Sequence, residues 1–273
     1  MNSKTTSFVI HNDANYHHFM VEVVLGLHRE LDKARLLQSR ECILYYSGPF
    51  KSFLDFYSRD IRPRHEALEG TPYARSVGAI CQDLKKVSDH LVKEIPSDKC
   101  NTITLLKRTK NRRLINYEDI KCALQEINLP LIEAQPEHMS AFEQLKLYRK
   151  TRLLVGAHSA GFTNMMFMQP GTLSLELNPY GFFWKGYHHM ASIFEVNLSE
   201  MEGLPPKGYG TRYPKSFAPR YEDGPWTRDE YLQLTNKEEA AKIRGMMRDI
   251  EEFSVDVTKF QSIIASIKGK LCP

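Results

Sequence analysis

The chain has 273 residues, 42% of them hydrophobic and 26% charged, with a formal net charge of +4. That length can bury a sizeable core in one large or two modest domains, and a charge this mild does not argue for nucleic acid. No run of about 18 apolar residues offers a membrane span. The five cysteines form no CxxC pair, which argues against a disulfide framework and a zinc site. Free thiols suit a reducing compartment, and residues 1–7 carry no apolar signal core, so the expectation is a cytoplasmic protein.

Residues 7–10 are a short strand candidate, and Asp13 and Asn15 lie among side chains that can cap a helix. From residue 16 to about 37 the pattern is helical. Phe19, Val23, Leu27 and Leu31 recur at four-residue steps, and Met20, Val24 and Leu25 widen the apolar face. His17 and His18 fall in the first turn, and Glu22 shares a face with His18. The pair can be a base with an orienting carboxylate. The same spacing could seed a metal site, although nothing nearby completes a ligand set. Equally, both residues could face water at the start of a capped helix. Residues 42–46 read as a strand, 50–57 as a short aromatic helix, 59–72 as a polar loop that could meet an acceptor, and 77–81 as a third strand. Residues 83–95 read as helical or irregular, and 96–98 as a linker.

The second half alternates strand and helix: strands at 102–106, 130–134, 153–155, 172–177 and 194–198, helices at 117–127, 140–148 and 183–193. This implies a parallel, doubly wound sheet. The basic segment 107–113 follows the first of these strands. Arg108 and Arg113 suit bidentate contact with a diphosphate, the alternative being a solvated basic loop. Asn116 can cap the following helix. After the strand 153–155 comes a turn of small residues, Gly156, Ala157, Ser159, Ala160 and Gly161, where backbone can approach a ligand closely. Ser159 and Thr163 stand where a helix would begin, a place that favours an anion. Glu176 lies near the end of the next strand. Ligands of open α/β sheets bind at the carboxyl ends of the strands, so His158, Ser159, Gly161, Thr163, Asn164 and Glu176 should share one crevice. A diphosphate at the helix start and a ribose on the carboxylate would fit. Residues 203–225 read as a long connection and 227 onward as helical. Ile243, Met246, Met247 and Ile250 form one apolar stripe there, and Phe260, Ile263, Ile264 and Ile267 another.

Four ordered blocks resemble glycosyltransferase family 61 over roughly residues 11–200. Asn15-Tyr-His-His18-Phe-x-x-Glu22 resembles the family's Asn-Tyr-x-His block, and Lys107-Arg108 through Arg113-Leu-Ile-Asn116 its Arg…Ser-Arg-x-Ile-Asn block. Glu143-Gln144-Leu145 resembles its Glu-Gln-Ile helix. Gly156 to Asn164, with Pro170, Gly171 and Glu176, resembles its Gly-x-His-Gly-Ala-Gly-Leu-Thr-Asn signature. Ser159 replaces a usual Gly, and Asn111 stands where the family has Ser; both keep small or polar character.

The resemblance implies a GT-B-like α/β fold of two Rossmann-like domains. They would be an acceptor-side domain at 1–97, a nucleotide-sugar-binding domain at 98–249, and a final helix at 250–273 packing back on the first. It implies inverting transfer of a sugar from a UDP-sugar to a hydroxyl of a glycan or glycoprotein, with no metal required and no cofactor beyond the donor. His18 is the expected base, with Asp13 and Glu22 as rivals. Asn15, Arg108, Asn111, Arg113, Asn116, His158, Ser159, Ala160, Gly161, Thr163, Asn164 and Glu176 are the expected donor site. The compact form is similar to β-xylosyltransferases encoded by large algal viruses, which implies UDP-xylose as donor and the host cytoplasm as location. Transfer from UDP-N-acetylglucosamine or UDP-arabinose, or a UDP-sugar-binding scaffold without catalysis, are the alternatives. The missing GxGxxG counts against a Rossmann-type oxidoreductase.

Overall fold

The computed structural model describes residues 6–11, 15–74, 80–96, 99–180, 182, 184, 186–204 and 251–271. Asp13, the 97–98 part of the linker, most of the strand candidate 77–81, and the stripe from Ile243 to Ile250 lie outside the described residues.

Continuous apolar runs make the central strands. β4 (Thr102–Leu106), β6 (Leu131–Ala134), β7 (Thr151–Ala157), β8 (Leu173–Asn178) and β9 (Asn197–Glu202) form one parallel sheet in the order β6-β4-β7-β8-β9. Every residue of β4 and β8 is buried, as expected of strands covered on both faces. Side-chain alternation sorts these strands between two cores. Ile103, Leu105, Leu153, Val155 and Leu175 face one side with Ile120 and Leu124 of α5 (Tyr117–Gln125). Leu106, Ala134 and Leu154 face the other, with α6 (Ala141–Lys150) and α7 (Gly186–Phe194). Ser140 starts α6 through a reciprocal capping box with Glu143.

The first unit is a smaller parallel sheet of β1 (Ser7–Val9), β2 (Ile43–Tyr45) and β3 (Asp60–Arg62), in that order. Its third strand comes from the stretch expected to be loop. Ile61 is the only apolar residue of β3, so the pattern is too short to read, and backbone pairing with β2 supplies the order. The helical stretch 16–33 is continuous but not uniform. α1 (Tyr16–His18) runs into a π-helical segment, Phe19–Val24, and then into α2 (Leu25–Lys33). Five of the six π-segment residues are buried, so this helix is covered almost all round. α3 (Lys51–Leu54) and α4 (Asp83–Val92) complete the unit.

The two units share one core. Phe19, Phe53, Leu54, Leu84 and Val87 cluster with Leu145, Tyr148, Phe162 and Met165. A 3-10 helix, Ala160–Phe167, lies at this junction. Ser88 Oγ donates to Met166 O at 2.5 Å, and the rings of Phe53 and Phe167 stack at 6.4 Å.

At the other end, β10 (Glu252–Phe253) pairs in parallel with β5 (Arg113–Leu114), and α8 (Val257–Leu271) follows. The expected return of this helix to the first domain is corrected. Phe260, Ile264 and Leu271 join Ile120, Ala123 and Leu124, in a core that includes none of the described residues between 6 and 96. The apolar stripe of α8 matches the outer face of α5, and burial there satisfies it.

Candidate active site

The strand order reverses between β4 and β7, and the carboxyl ends of strands at such a switch point are where ligands bind in open α/β sheets. Arg108 follows β4 and His158 follows β7. The first unit reaches the same place through α1. Asn15 caps this helix, its Oδ1 accepting from the N–H of His17 at 2.9 Å and of His18 at 3.4 Å. The first turn of α1 is thereby fixed against the 3-10 helix that follows His158.

That contact is a chain of buried and part-buried hydrogen bonds. The Tyr16 hydroxyl donates to Asn164 Oδ1 at 2.5 Å, and Asn164 Nδ2 donates to Gln144 Oε1 at 3.1 Å. Gln144 Nε2 then donates to the carbonyls of Pro136 and Met139 at 2.9 and 3.2 Å. Beside it, His17 Nδ1 meets Thr163 Oγ1 at 2.8 Å. Burial, helped by the neighbouring His18, pulls His17 down to about 4 and keeps it neutral near pH 7. Thr163 and Asn164 are fully buried, and these bonds join the two units. Three of the four sequence blocks thus meet in one structural relay.

His18 points away from this relay. It is half exposed, with Nδ1 2.6 Å from Glu22 Oε1 in the π-helical segment. A carboxylate partner favours the tautomer with the proton on Nδ1, in which Nε2 is the nitrogen that carries the lone pair. Such π segments are frequent at functional sites.

His158 is buried, with Nδ1 2.5 Å from Oε1 of the fully buried Glu176. Burial pushes Glu176 well above the carboxylate range and His158 well below the imidazole range. The pair is therefore neutral, with the Glu176 proton donated to Nδ1 and Nε2–H left as a donor. Glu176 acts here by fixing the tautomer of His158, and it offers no exposed carboxylate to a ribose. The His158 ring packs on Phe182, Trp184 and Tyr187, with centroids at 4.4, 5.9 and 5.4 Å. Trp184 also lies 5.1 Å from His17, which brings the two units' histidines around one indole. The Tyr187 hydroxyl donates to Ser159 O at 2.6 Å.

Two cations complete the site. Arg108 and Arg112 both depress the protonation of His158 by charge repulsion. Arg108 Nε donates to Asn111 O at 2.6 Å, which folds the loop back, and burial lowers the Arg108 guanidinium from its usual value. Among the described residues no carboxylate lies within ion-pair distance of Arg108. Arg112 lies in the left-handed region, with a φ of 58°.

The predicted residues therefore divide. His18, Glu22, Asn15, Arg108, Asn111, His158, Ser159, Ala160, Gly161 and Glu176 are brought to the junction of the two units, directly or through a neighbour. Arg113 and Asn116 face the other way. Arg113 pairs with Glu252 at 2.9 Å, and Asn116 exchanges two hydrogen bonds with the backbone of Val255. Both hold the C-terminal segment, and Asn116 makes no side-chain cap on α5. Gly156 lies inside β7 opposite Leu106, where a Cβ would stand 2.6 Å from Leu106 Cβ. Its smallness serves strand packing. Tyr16, His17, Arg112 and Tyr187 were not among the predicted site residues. The resemblance blocks already contained the first three, Arg112 within the basic segment 107–113; nothing local in the sequence marks Tyr187.

A family model described as Glycosyltransferase 61 matches residues 16–175, from the first residue of α1 to one residue before Glu176. The chain is 26% identical over 174 residues to the xylan glycosyltransferase MUCI21 of Arabidopsis thaliana, covering 61% of this chain and 31% of that protein. It is 25% identical over 138 residues to protein O-linked-mannose beta-1,4-N-acetylglucosaminyltransferase 2 of Xenopus laevis, covering 50% of this chain and 23% of that protein. The aligned part thus spans less than a third of either relative. The matched residues hold both the histidine-bearing helix and the turn after β7, and the chain belongs to glycosyltransferase family 61.

Proposed function

We propose that this protein transfers a sugar, with inversion, from a UDP-sugar to a hydroxyl of a glycan, and that the sugar is xylose, joined in β-linkage. The observation that carries the reading is that His17, next to the exposed His18–Glu22 pair, shares the Trp184 ring with His158, on which the charges of Arg112 and Arg108 act at the switch point of the sheet. His18 Nε2 removes the proton from the acceptor hydroxyl as its oxygen attacks the anomeric carbon. The bond from that carbon to the diphosphate breaks on the opposite face. Arg108, Arg112 and the Nε2–H of His158 take up the charge that develops on the leaving diphosphate. With those cations on the leaving group, the reaction requires no metal. On this reading Trp184, which is partly exposed between His17 and His158, closes the sugar site against a hydroxymethyl group and so selects a pentose.

Paired variants test the assignment. His18→Ala should abolish transfer and leave UDP affinity intact, whereas Arg108→Ala should weaken UDP binding. Full turnover by His18→Ala would remove His18 as the base. A non-catalytic UDP-sugar-binding protein would instead bind UDP normally and release none from the donor.

A further inference from the structure

Glu176 has a second acid beside it. β8 and β9 pair in parallel, with Glu176 opposite Glu200. Neighbouring strands lie about 4.8 Å apart and paired residues point to the same face, so the two carboxyl groups share one side of the sheet. It is the side covered by α7, because Leu175, Leu177 and Met201 face the other core. His188 of α7 reaches Glu200, with Nε2 3.0 Å from Oε1, and the Glu200 side chain keeps only 10% of its surface exposed. Both residues lie beyond those that the family model matches, and the transfer described above uses neither.

Two acids this close do not both ionise readily. Burial is the larger reason that Glu176 holds its proton, and the charge of Glu200 acts in the same direction. His188 from α7, Arg112 from the loop after β4 and the Asn178 amide on β8 act against it. Arg112 and Arg108 in turn keep a second proton off His158, and Tyr187 of α7 feels the charge of Glu176. The proton belongs to the pair, and its loss changes what His158 presents. While Glu176 is protonated, its O–H donates to Nδ1 and the ring N–H is on Nε2. Loss of one proton to solvent leaves a carboxylate at Glu176, shifts the ring proton to Nδ1 and makes Nε2 a lone-pair acceptor that repels a diphosphate. Glu200 opposes this loss, since it would set two buried negative charges side by side.

We propose that Glu200, seated by His188, is a positioning residue for His158: it retains the proton of the Glu176–His158 pair, so that Nε2–H is presented to the leaving diphosphate. The diphosphate rests on the nucleotide-sugar reading above, whereas the proton on His158 can be read without any ligand. Histidine 15N–1H NMR of the full chain should show a neutral His158 with its proton on Nε2 from about pH 7 to about pH 9. Glu200→Gln removes the charge at constant size and should bring the loss of that proton down by about one pH unit or more. Calorimetry with UDP should then find this variant within about twofold of wild type near pH 7 and about tenfold weaker near pH 9, the size of one lost charge-assisted hydrogen bond. Glu200→Asp keeps the charge and should restore the wild-type pH dependence. A wild-type His158 protonated on Nδ1, or on both nitrogens, near pH 7 would overturn the proposal whether or not the variants fold. So would a Glu200→Gln chain whose His158 and UDP affinity follow wild type at both pH values, or one that loses affinity equally at both. If wild type binds no UDP while the NMR behaves as stated, the nucleotide-sugar reading fails and the control of His158 by Glu200 stands.

Discussion

Replacing Asn164 with Ala removes the middle of the relay between the two units. Asn164 has no exposed surface, accepts from the Tyr16 hydroxyl and donates to Gln144. Truncation leaves a buried donor and a buried acceptor without partners, at about 1–3 kcal/mol each, and a partly filled void besides. The expected loss is about 3–5 kcal/mol, of the size reserved for broken buried networks. For a chain this long each kcal/mol moves the melting point by about 2–4 °C, so Tm should fall by roughly 10 °C. Tyr16→Phe is the milder partner. It keeps the ring against Phe50 and Phe53 and removes one hydroxyl, for about 1–2 kcal/mol. Urea unfolding of both variants and the double variant measures the coupling between them, expected at about 1 kcal/mol or more. A loss below about 1 kcal/mol for Asn164→Ala, or strict additivity with Tyr16→Phe, would refute the claim that this chain holds the units together.

Acid should unfold the protein through its buried histidines. Burial holds His17 and His28 at about 4, below the unfolded value of 6.5. Each neutral ring therefore contributes stability that is complete above about pH 6.5 and is lost as pH falls towards 4, about 3 kcal/mol per group. Unfolding midpoints from pH 7.5 to 4 should show the fall, and His28→Gln should flatten it. Gly156→Ala should cost about 1–3 kcal/mol by forcing β7 away from Leu106, read as a lower urea midpoint. Glu176→Gln should leave stability nearly unchanged, because the pair with His158 is already neutral. A loss of about 3–5 kcal/mol there would mean a buried ion pair instead.

Much of the scaffold was legible because its signals are local. β4, β7 and β8 are apolar runs flanked by turn residues, and Ser140 with Glu143 announces the start of α6. The turn after β7 and the basic segment after β4 were legible as a place, since a parallel sheet puts strand ends together. The duties of the short polar residues were not. Asn164 and Asn116 look like ligand contacts in sequence, yet their partners lie 148 and 139 residues away. Periodicity cannot report such distances. The third strand of the first sheet escaped because a single apolar residue, Ile61, sets no period. The packing of α8 on α5 escaped because an apolar stripe shows that a helix is covered, without saying by what.

The central claim is tested most directly by following UDP release and product configuration when the full chain is given UDP-xylose, UDP-glucose or UDP-N-acetylglucosamine with a glycan acceptor, with and without EDTA. The account predicts acceptor-dependent UDP release from UDP-xylose, a β-configured product, the same rate in EDTA, and none of it in His18→Ala. No release from any donor, release abolished by EDTA, or an α-configured product would contradict it.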